Sequence, residues 1–215
     1  MSSATTIAEP SDRTQAASFR AALVAHVRVQ ARPVDKFSHQ PRLYELVRQV
    51  AAGLGADDDI LFAAVWLHDL GVFVGHRPEE PTALAAWDNV AYACAQVPAL
   101  LASCSFPAAK IPAVVEAIRT HTPAGNPTTL EGVILRDADI LEQLGAAGLL
   151  RTIGKVGRDT RFDTFADALQ ILQRASETLP GQVRLPRTRE LAAPRLALLR
   201  AFLEQARAEG GEVPW

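Results

Sequence analysis

The strongest constraint on the fold is an apolar segment, residues 60–67, that leads into the dipeptide His68-Asp69 and then into Gly71. Its large apolar residues recur at the spacing of a buried helical face. Three aspartates, residues 57–59, predict an N-cap and an acidic first turn, and Gly71 predicts a left-handed C-cap. An imidazole and a carboxylate thus stand together at the end of a core helix. Burying them is costly unless something compensates, and a divalent metal ion is the simplest such partner.

The composition indicates an ordinary globular chain with one domain. Its 215 residues, 48% hydrophobic and 21% charged, suffice for one substantial core. A formal net charge of -2 gives no electrostatic basis for binding a nucleic acid polymer. No apolar run approaches the roughly 18 residues of a membrane span. The N-terminus lacks signal-peptide features, and Cys94 and Cys104 lack metal-type spacing. We therefore expect a cytoplasmic protein without membrane contact, and a homodimer only as the commonest assembly.

Helical periodicity recurs along the chain, and no alternating strand pattern of useful length is present. The sequence predicts an all-α, single-domain helical bundle over residues 12–209, after a disordered tail of residues 1–11. Helices are predicted near residues 12–30, 39–51, 60–70, 82–97, 108–121, 128–144, 149–153, 163–178 and 188–208. Thr128 and Glu131 match a capping box, and Pro194 is expected to kink or start the last helix.

Three of these helices carry potential metal ligands. His39 lies at a helix entrance and His68-Asp69 at the next helix exit, so antiparallel packing would bring them together. A later helix adds Asp137 and Asp139, which point about 200° apart, so only one can face the same ion. Two imidazoles and two carboxylates suit Mn²⁺, Fe²⁺, Ni²⁺, Co²⁺ or Zn²⁺ and tolerate Mg²⁺. A six-coordinate ion would keep positions open for water and substrate.

The ordered pattern His…His-Asp…Asp resembles the HD-domain metal-dependent phosphohydrolases, and more narrowly a bacterial group of nucleotide phosphohydrolases. The resemblance covers roughly residues 35–205. Its core motifs are His39-Gln-Pro-Arg42-Leu43, Leu67-His68-Asp69-Leu70-Gly71 and Asp137-Ala138-Asp139-Ile140-Leu141-Glu142. Three further segments, residues 106–111, 117–121 and 144–149, add to the match.

The resemblance implies a ligand set for one divalent ion, with a second ion left open. The ligands are His39, His68, Asp69 and one further aspartate. The Ala-Asp-x-Leu motif of related HD proteins favours Asp139 as this fourth ligand. Asp137 would then act as a cap, pair with Arg136 or Arg42, or lie behind the ligands.

The resemblance also implies metal-assisted hydrolysis of a small phosphorylated substrate. Asp69 would orient or deprotonate the attacking water. His121 would protonate the leaving group, bind phosphate or join a second metal, although a simple helix-end contact explains it equally well. The candidates for substrate binding are Arg42, His76, Arg77 and Lys110. Considered separately, each of them is expected to be an ordinary surface residue. His26 reads as a partly buried helix histidine.

One departure from the family leaves the substrate open. Residues 71–74, directly after the His-Asp helix, are apolar where the family often has a polar pair. An apolar lip there favours a base or a small neutral substrate as much as a triphosphate. A metal-dependent hydratase or hydrolase acting on a non-phosphate molecule is therefore the alternative, and a non-enzymatic scaffold or sensor is a third hypothesis.

Overall fold

The computed structural model describes residues 10–33, 36–158 and 162–210, with side chains from residue 18 onward. Its helices are α1 (Pro10–Gln30), α2 (His39–Ala51), α3 (Asp58–Leu67), α4 (Pro81–Ala85), α5 (Asn89–Ser103), α6 (Ile111–Thr120), α7 (Leu130–Leu144), α8 (Ala146–Ile153), α9 (Phe165–Thr178) and α10 (Pro186–Gly210). Within these ranges no strand forms beyond an isolated bridge between Val74 and Arg77. The predicted all-α fold is confirmed. None of the described helices is long and apolar enough to cross a membrane.

Helix α3 is the centre of the core. Every residue from Ile60 to Leu67 is buried, and the helix packs against α1, α2, α6 and α7. Asp57 caps its first turn, accepting hydrogen bonds from the backbone N–H groups of Asp59 and Ile60 at 3.0 and 3.3 Å. A helix surrounded on all sides carries apolar residues all round. This explains why the segment is nearly continuous in hydrophobicity rather than amphipathic.

Gly71 serves a different purpose from the one predicted. It lies in a 3₁₀ turn, Leu70–Val72, and its φ is not in the left-handed region. A Cβ atom there would lie 2.3 Å from the backbone oxygen of Asn89, the first residue of α5. The glycine is therefore required by the close approach of two backbones, which also lets Trp87 Nε1 donate to the Gly71 carbonyl at 2.8 Å.

Several predicted boundaries are wrong in detail. The helix predicted over 82–97 is two helices, α4 and α5, and Pro98 lies inside α5 rather than after it. Thr129, not Thr128, caps α7 by accepting from Gly132 N–H. Pro194 lies inside α10. The tail predicted over residues 1–11 ends too late, because helix α1 begins at Pro10. Residues 1–9 of that tail lie outside the described residues.

Candidate metal centre

The two histidines of the predicted site face each other across the junction of α2 and α3. His39 is the first residue of α2, and His68 directly follows the last residue of α3. Their Nε2 atoms lie 3.2 Å apart, and both side chains are buried. Because α2 and α3 run antiparallel and are joined by a short connection, the entrance of one meets the exit of the other.

The orientation of His68 is fixed by its own helix. Its Nδ1 lies 2.8 Å from the carbonyl oxygen of Val65 and can only donate to it. The neutral ring therefore carries its lone pair on Nε2, the atom that faces His39. Burial lowers the pKa of His68 to about 4, against the opposing charge of Asp69 and with smaller lowering contributions from His121 and His39. The ring is thus held neutral, the form that binds metal ions.

Two carboxylates complete the cluster. Asp69 lies 3.6 Å from His39 Nε2 through Oδ2 and 3.6 Å from His68 Nε2 through Oδ1. Asp139 Oδ1 lies 4.0 Å from His39 Nε2. Burial alone would raise the pKa of Asp69, but the nearby His68 and His39 and the charge of Lys36 hold it well below its usual range. Asp69 is therefore an anion next to two imidazole nitrogens.

This arrangement fits a divalent metal ion. Two ligand atoms that each lie about 2.1 Å from an ion at a right angle are about 3.0 Å apart. The observed Nε2–Nε2 distance of 3.2 Å is close to that value, and the carboxylate distances are compatible with adjacent or opposite positions. His39, His68 and Asp69 form a group whose ligand atoms can hold one ion. The cluster thus offers the donor chemistry of a divalent metal site.

The structure separates the two aspartates of α7. Asp139 faces the histidines, and its Oδ2 accepts a hydrogen bond from Gln143 at 2.9 Å. Asp137 is fully buried on the other side of the helix and accepts backbone N–H groups of Arg184 and Leu185 at 3.1 and 2.8 Å. It therefore anchors the chain that enters α10, and its Oδ1 also lies 3.9 Å from Nη1 of Arg136, one of the two arginines expected as its partner. Metal ligation by Asp139 stays a prediction.

His121 lies beside the cluster. Its ring centroid is 4.9 Å from that of His68, and the side chain is buried. Its Nδ1 contacts the carbonyl oxygen of Ile118 at 2.6 Å, which leaves Nε2 as the unprotonated nitrogen of the neutral ring. The position suits a proton-transfer group near the metal, and the catalytic role remains a prediction.

A cavity of about 440 Å³ reaches the cluster at His39. Of its described lining residues, none is acidic. The basic ones number six: Lys36, Arg42, Arg77, Arg151, Lys155 and Arg158. Arg42 and Arg77, two of the predicted substrate-binding residues, thus lie at the cavity, and substrate binding by them stays a prediction. The other four carried no signal in the sequence, because they come from α8 and from loops that only the fold brings together.

Two predicted substrate-binding residues lie elsewhere. Lys110 pairs with Asp57 and Asp59 at 2.8 and 3.0 Å, at the opposite end of α3 from His68. The structure therefore gives Lys110 a structural ion pair instead of a phosphate contact. His76 uses both ring nitrogens, one with Tyr92 at 3.1 Å and one with Gln30 at 3.0 Å, and does not line the cavity.

The expected apolar lip is also displaced. Phe73 is fully buried in the core, and Val72 packs against it. None of residues 71–74 is among the described lining of the cavity. The entrance of the cavity beside the His/Asp cluster is therefore cationic rather than apolar.

Comparison with known proteins agrees with this geometry. A family model described as HD domain matches residues 37–144, about half of the chain. No curated protein matches. Solved structures of similar fold include a protein from Lactobacillus plantarum (22% identity, 95% of this chain and 98% of that chain, TM-score 0.67). A predicted HD superfamily hydrolase from an uncultured Thermotogales bacterium is 24% identical over 89% of this chain and 92% of its own, with a TM-score of 0.62. Bacillus subtilis YpgQ in complex with ADP is 19% identical over 94% of this chain and 98% of its own, with a TM-score of 0.67.

Proposed function

Because the chain belongs to the HD-domain family, we propose that it is a divalent-metal-dependent phosphohydrolase that hydrolyses a nucleotide or another small phosphate ester. The family and the His/Asp cluster together support the broader class, a metal-dependent hydrolase. The phosphate substrate and the identity of the metal are the finer parts of this proposal.

The cationic cavity is the observation that carries the phosphate substrate. Six basic side chains line one cavity next to His39, although the whole chain has a formal net charge of -2. Two of them, Arg42 and Arg151, also pair with Glu142, so the six cations outnumber this one carboxylate. Fixed cations in a concave site offset the charge of a phosphorylated ligand and provide charge-assisted hydrogen bonds. A site for a small neutral molecule has no use for this concentration of charge. The cavity therefore favours the phosphohydrolase over a hydratase or hydrolase of a non-phosphate substrate.

A nucleotide is the substrate class to test first. Bacillus subtilis YpgQ, which shares this fold, was solved in complex with ADP. The volume of about 440 Å³ is in the range of small-molecule binding sites. Both facts support a nucleotide as one candidate among small phosphate esters.

The residues divide the chemistry between them. His39, His68, Asp69 and Asp139 would hold the ion. When bound, the ion supplies Lewis-acid activation of a water and of the phosphoryl oxygen. Asp69 has carboxylate oxygens beside both imidazoles and accepts or orients a water proton. The basic residues of the cavity hold the phosphate. His121, whose Nε2 is free of the contact with Ile118, would accept a proton there and pass it to the leaving group.

A phosphate-release assay tests this function. The purified protein is analysed for bound metal, then incubated with a panel of nucleotides and simple phosphate esters in Mn²⁺ or Mg²⁺. We expect metal-dependent release of phosphate or pyrophosphate. Asp69→Asn should reduce the rate by at least about 100-fold, the lower range for a group that handles a proton in the transition state.

The matched control is Asp163→Asn, which changes an exposed aspartate in the same way. A wild-type protein that binds metal but releases no phosphate from any compound would direct attention to the non-phosphate alternative. A protein that binds no metal would favour the scaffold or sensor hypothesis.

A further inference from the structure

A buried carboxylate lies behind His39, on the side of the ring opposite His68. Glu142 Oε2 is 2.6 Å from His39 Nδ1, and only 1% of the glutamate side chain is exposed. Glu142 ends one of the sequence motifs, but no pattern in the sequence assigns it a role. Yet it lies three residues after Asp139 on α7, the spacing that puts two side chains on one helical face. Helix α7 therefore places a carboxylate near each ring nitrogen of His39: Asp139 near Nε2 and Glu142 near Nδ1.

Glu142 is not suited to bind the metal directly. His39, Asp139 and Glu142 are close enough for their ligand atoms to hold an ion. However, Arg42 Nε donates to Glu142 Oε1 at 3.3 Å, and Arg151 Nη1 contacts Oε2. A divalent cation at this carboxylate would lie against two guanidinium groups. The arginines therefore leave Glu142 the role of an acceptor for the His39 ring.

Close packing of α8 on the end of α7 holds Arg151 in place. A Cβ atom on Gly148 would lie 2.4 Å from the backbone oxygen of Gln143 and 2.5 Å from that of Glu142. Only glycine allows this approach, which brings Arg151, three residues later, onto the glutamate. Arg151 Nη1 also lies 2.8 Å from His39 Nδ1, and Arg151 lines the cationic cavity. A guanidinium only donates and a carboxylate only accepts, so Nδ1 either accepts from Arg151 or donates to Glu142. The contact with the carboxylate, at 2.6 Å, is the shorter of the two and favours a proton on Nδ1.

We propose that Glu142, clamped by Arg151, is a positioning residue that accepts the Nδ1–H of His39 and so keeps the lone pair of Nε2 directed at the metal. The inference rests on the metal centre of the proposed function. Without a strong acceptor at Nδ1, the neutral imidazole can carry its proton on Nε2, and that tautomer cannot bind a metal through Nε2. Outer carboxylates of this kind typically change metal affinity by about 10- to 100-fold.

The first test reads the tautomer of His39 in the wild-type protein without metal. Long-range ¹H–¹⁵N correlation spectra of protein treated with chelator distinguish a protonated Nδ1 from a protonated Nε2. We expect His39 to be protonated on Nδ1 and bare on Nε2 at neutral pH. A spectrum showing His39 protonated on Nε2 overturns the inference, whatever the substrate of the enzyme is. This measurement needs no variant, so it does not depend on a substituted chain folding.

The second test compares Co²⁺ binding by its visible absorption in wild type, Glu142→Gln and Glu142→Asp. Glu142→Gln should bind Co²⁺ about 10- to 100-fold more weakly with an altered spectrum, and Glu142→Asp should recover part of the affinity. Glu190→Gln is the matched control, since Glu190 is exposed and, among the described residues, its ion pair is with Arg187 on its own helix. Unchanged affinity and spectrum in Glu142→Gln would refute the positioning role.

The two tests separate this inference from the proposed function. If wild type binds no Co²⁺, the proposed metal centre itself is wrong. If wild type binds Co²⁺ and Glu142→Gln behaves in the same way, only the role of Glu142 is wrong. Circular dichroism of each variant confirms that the helical fold is retained before affinities are compared.

Discussion

His39 Nε2 lies 3.2 Å from His68 Nε2, although the two histidines belong to opposite ends of neighbouring helices. When His39 carries its proton on Nδ1, both of these nitrogens are unprotonated and their lone pairs face each other. A cation between them turns this repulsion into shared ligation, and the carboxylates of Asp69 and Asp139 supply the balancing charge. The geometry thus links the stability of the folded chain to metal binding.

Adding a divalent metal should raise the melting temperature of the protein. An ion that binds only the folded state at 100 times its dissociation constant stabilises it by about 2.7 kcal/mol. We expect thermal unfolding followed by circular dichroism to shift upward between chelator and Mn²⁺. His68→Gln should lose this shift. His26→Gln, which changes a histidine of α1 away from the cluster, should keep it, and an equal loss in both variants would contradict the site.

Substitutions of Arg77 and Lys110 should have different effects on KM, although the sequence predicted that both residues bind the substrate. Arg77 lines the cavity, whereas Lys110 pairs with Asp57 and Asp59 at the other end of α3. Losing one hydrogen bond to a charged substrate costs about 1.5–3 kcal/mol. Arg77→Gln should therefore raise KM by roughly 10-fold or more. Lys110→Gln should leave KM unchanged and lower stability slightly, by up to about 1 kcal/mol. A comparable rise of KM in both variants would restore Lys110 to the site.

The sequence indicated those parts of the site that local patterns control. His39, His68 and Asp69 are recognisable because each stands at a helix boundary, where capping and periodicity are visible in one chain. The preference for Asp139 over Asp137 came from a family motif, and the structure places Asp139 beside His39 and Asp137 beside Leu185. The helices themselves followed from apolar periodicity.

The rest depends on tertiary packing that single-chain patterns do not contain. Arg151 reaches Glu142 only because Gly148 lets α8 approach the end of α7. Lys110 is drawn to the acidic first turn of α3, a contact between residues more than fifty positions apart. The sequence shows that Glu142 lies three residues after Asp139, a spacing that places both on one helical face. It does not show that Arg151 contacts Glu142.

The acidic first turn of α3 should make stability depend on pH in the acid range. Asp59 contacts Arg20 at 2.7 Å and Lys110 at 3.0 Å. Burial alone would raise the pKa of Asp59, but hydrogen bonds from Arg20 and Lys110 lower it below its ordinary value of 3.8. A lowered folded-state pKa stabilises the protein above the unfolded-state pKa, and this contribution disappears as the pH falls through the folded-state value.

Urea unfolding of wild type and Asp59→Asn measures this effect. The variant should be less stable than wild type at pH 7, and the difference should shrink below about pH 4, as Asp59 of the wild type becomes protonated. Asp163→Asn, an exposed aspartate, should show a small difference at every pH. A difference between wild type and Asp59→Asn that stays constant down to low pH would contradict the assigned contacts.

Gly71→Ala should destabilise the fold and disturb the metal centre together. The new Cβ would lie 2.3 Å from Asn89 O and 2.6 Å from Asn89 Cα, so the turn after Asp69 has to move away from the start of α5. Overpacking of this kind typically costs about 1–3 kcal/mol, which urea unfolding measures. Gly181→Ala is the matched control, because its Cβ meets nothing within 4 Å and its φ lies outside the left-handed region. That variant should stay within about 0.5 kcal/mol of wild type. Since Gly71 is two residues from Asp69, the Gly71→Ala protein should also bind Co²⁺ more weakly, and a destabilised variant with unchanged affinity would show that the turn does not position the ligand.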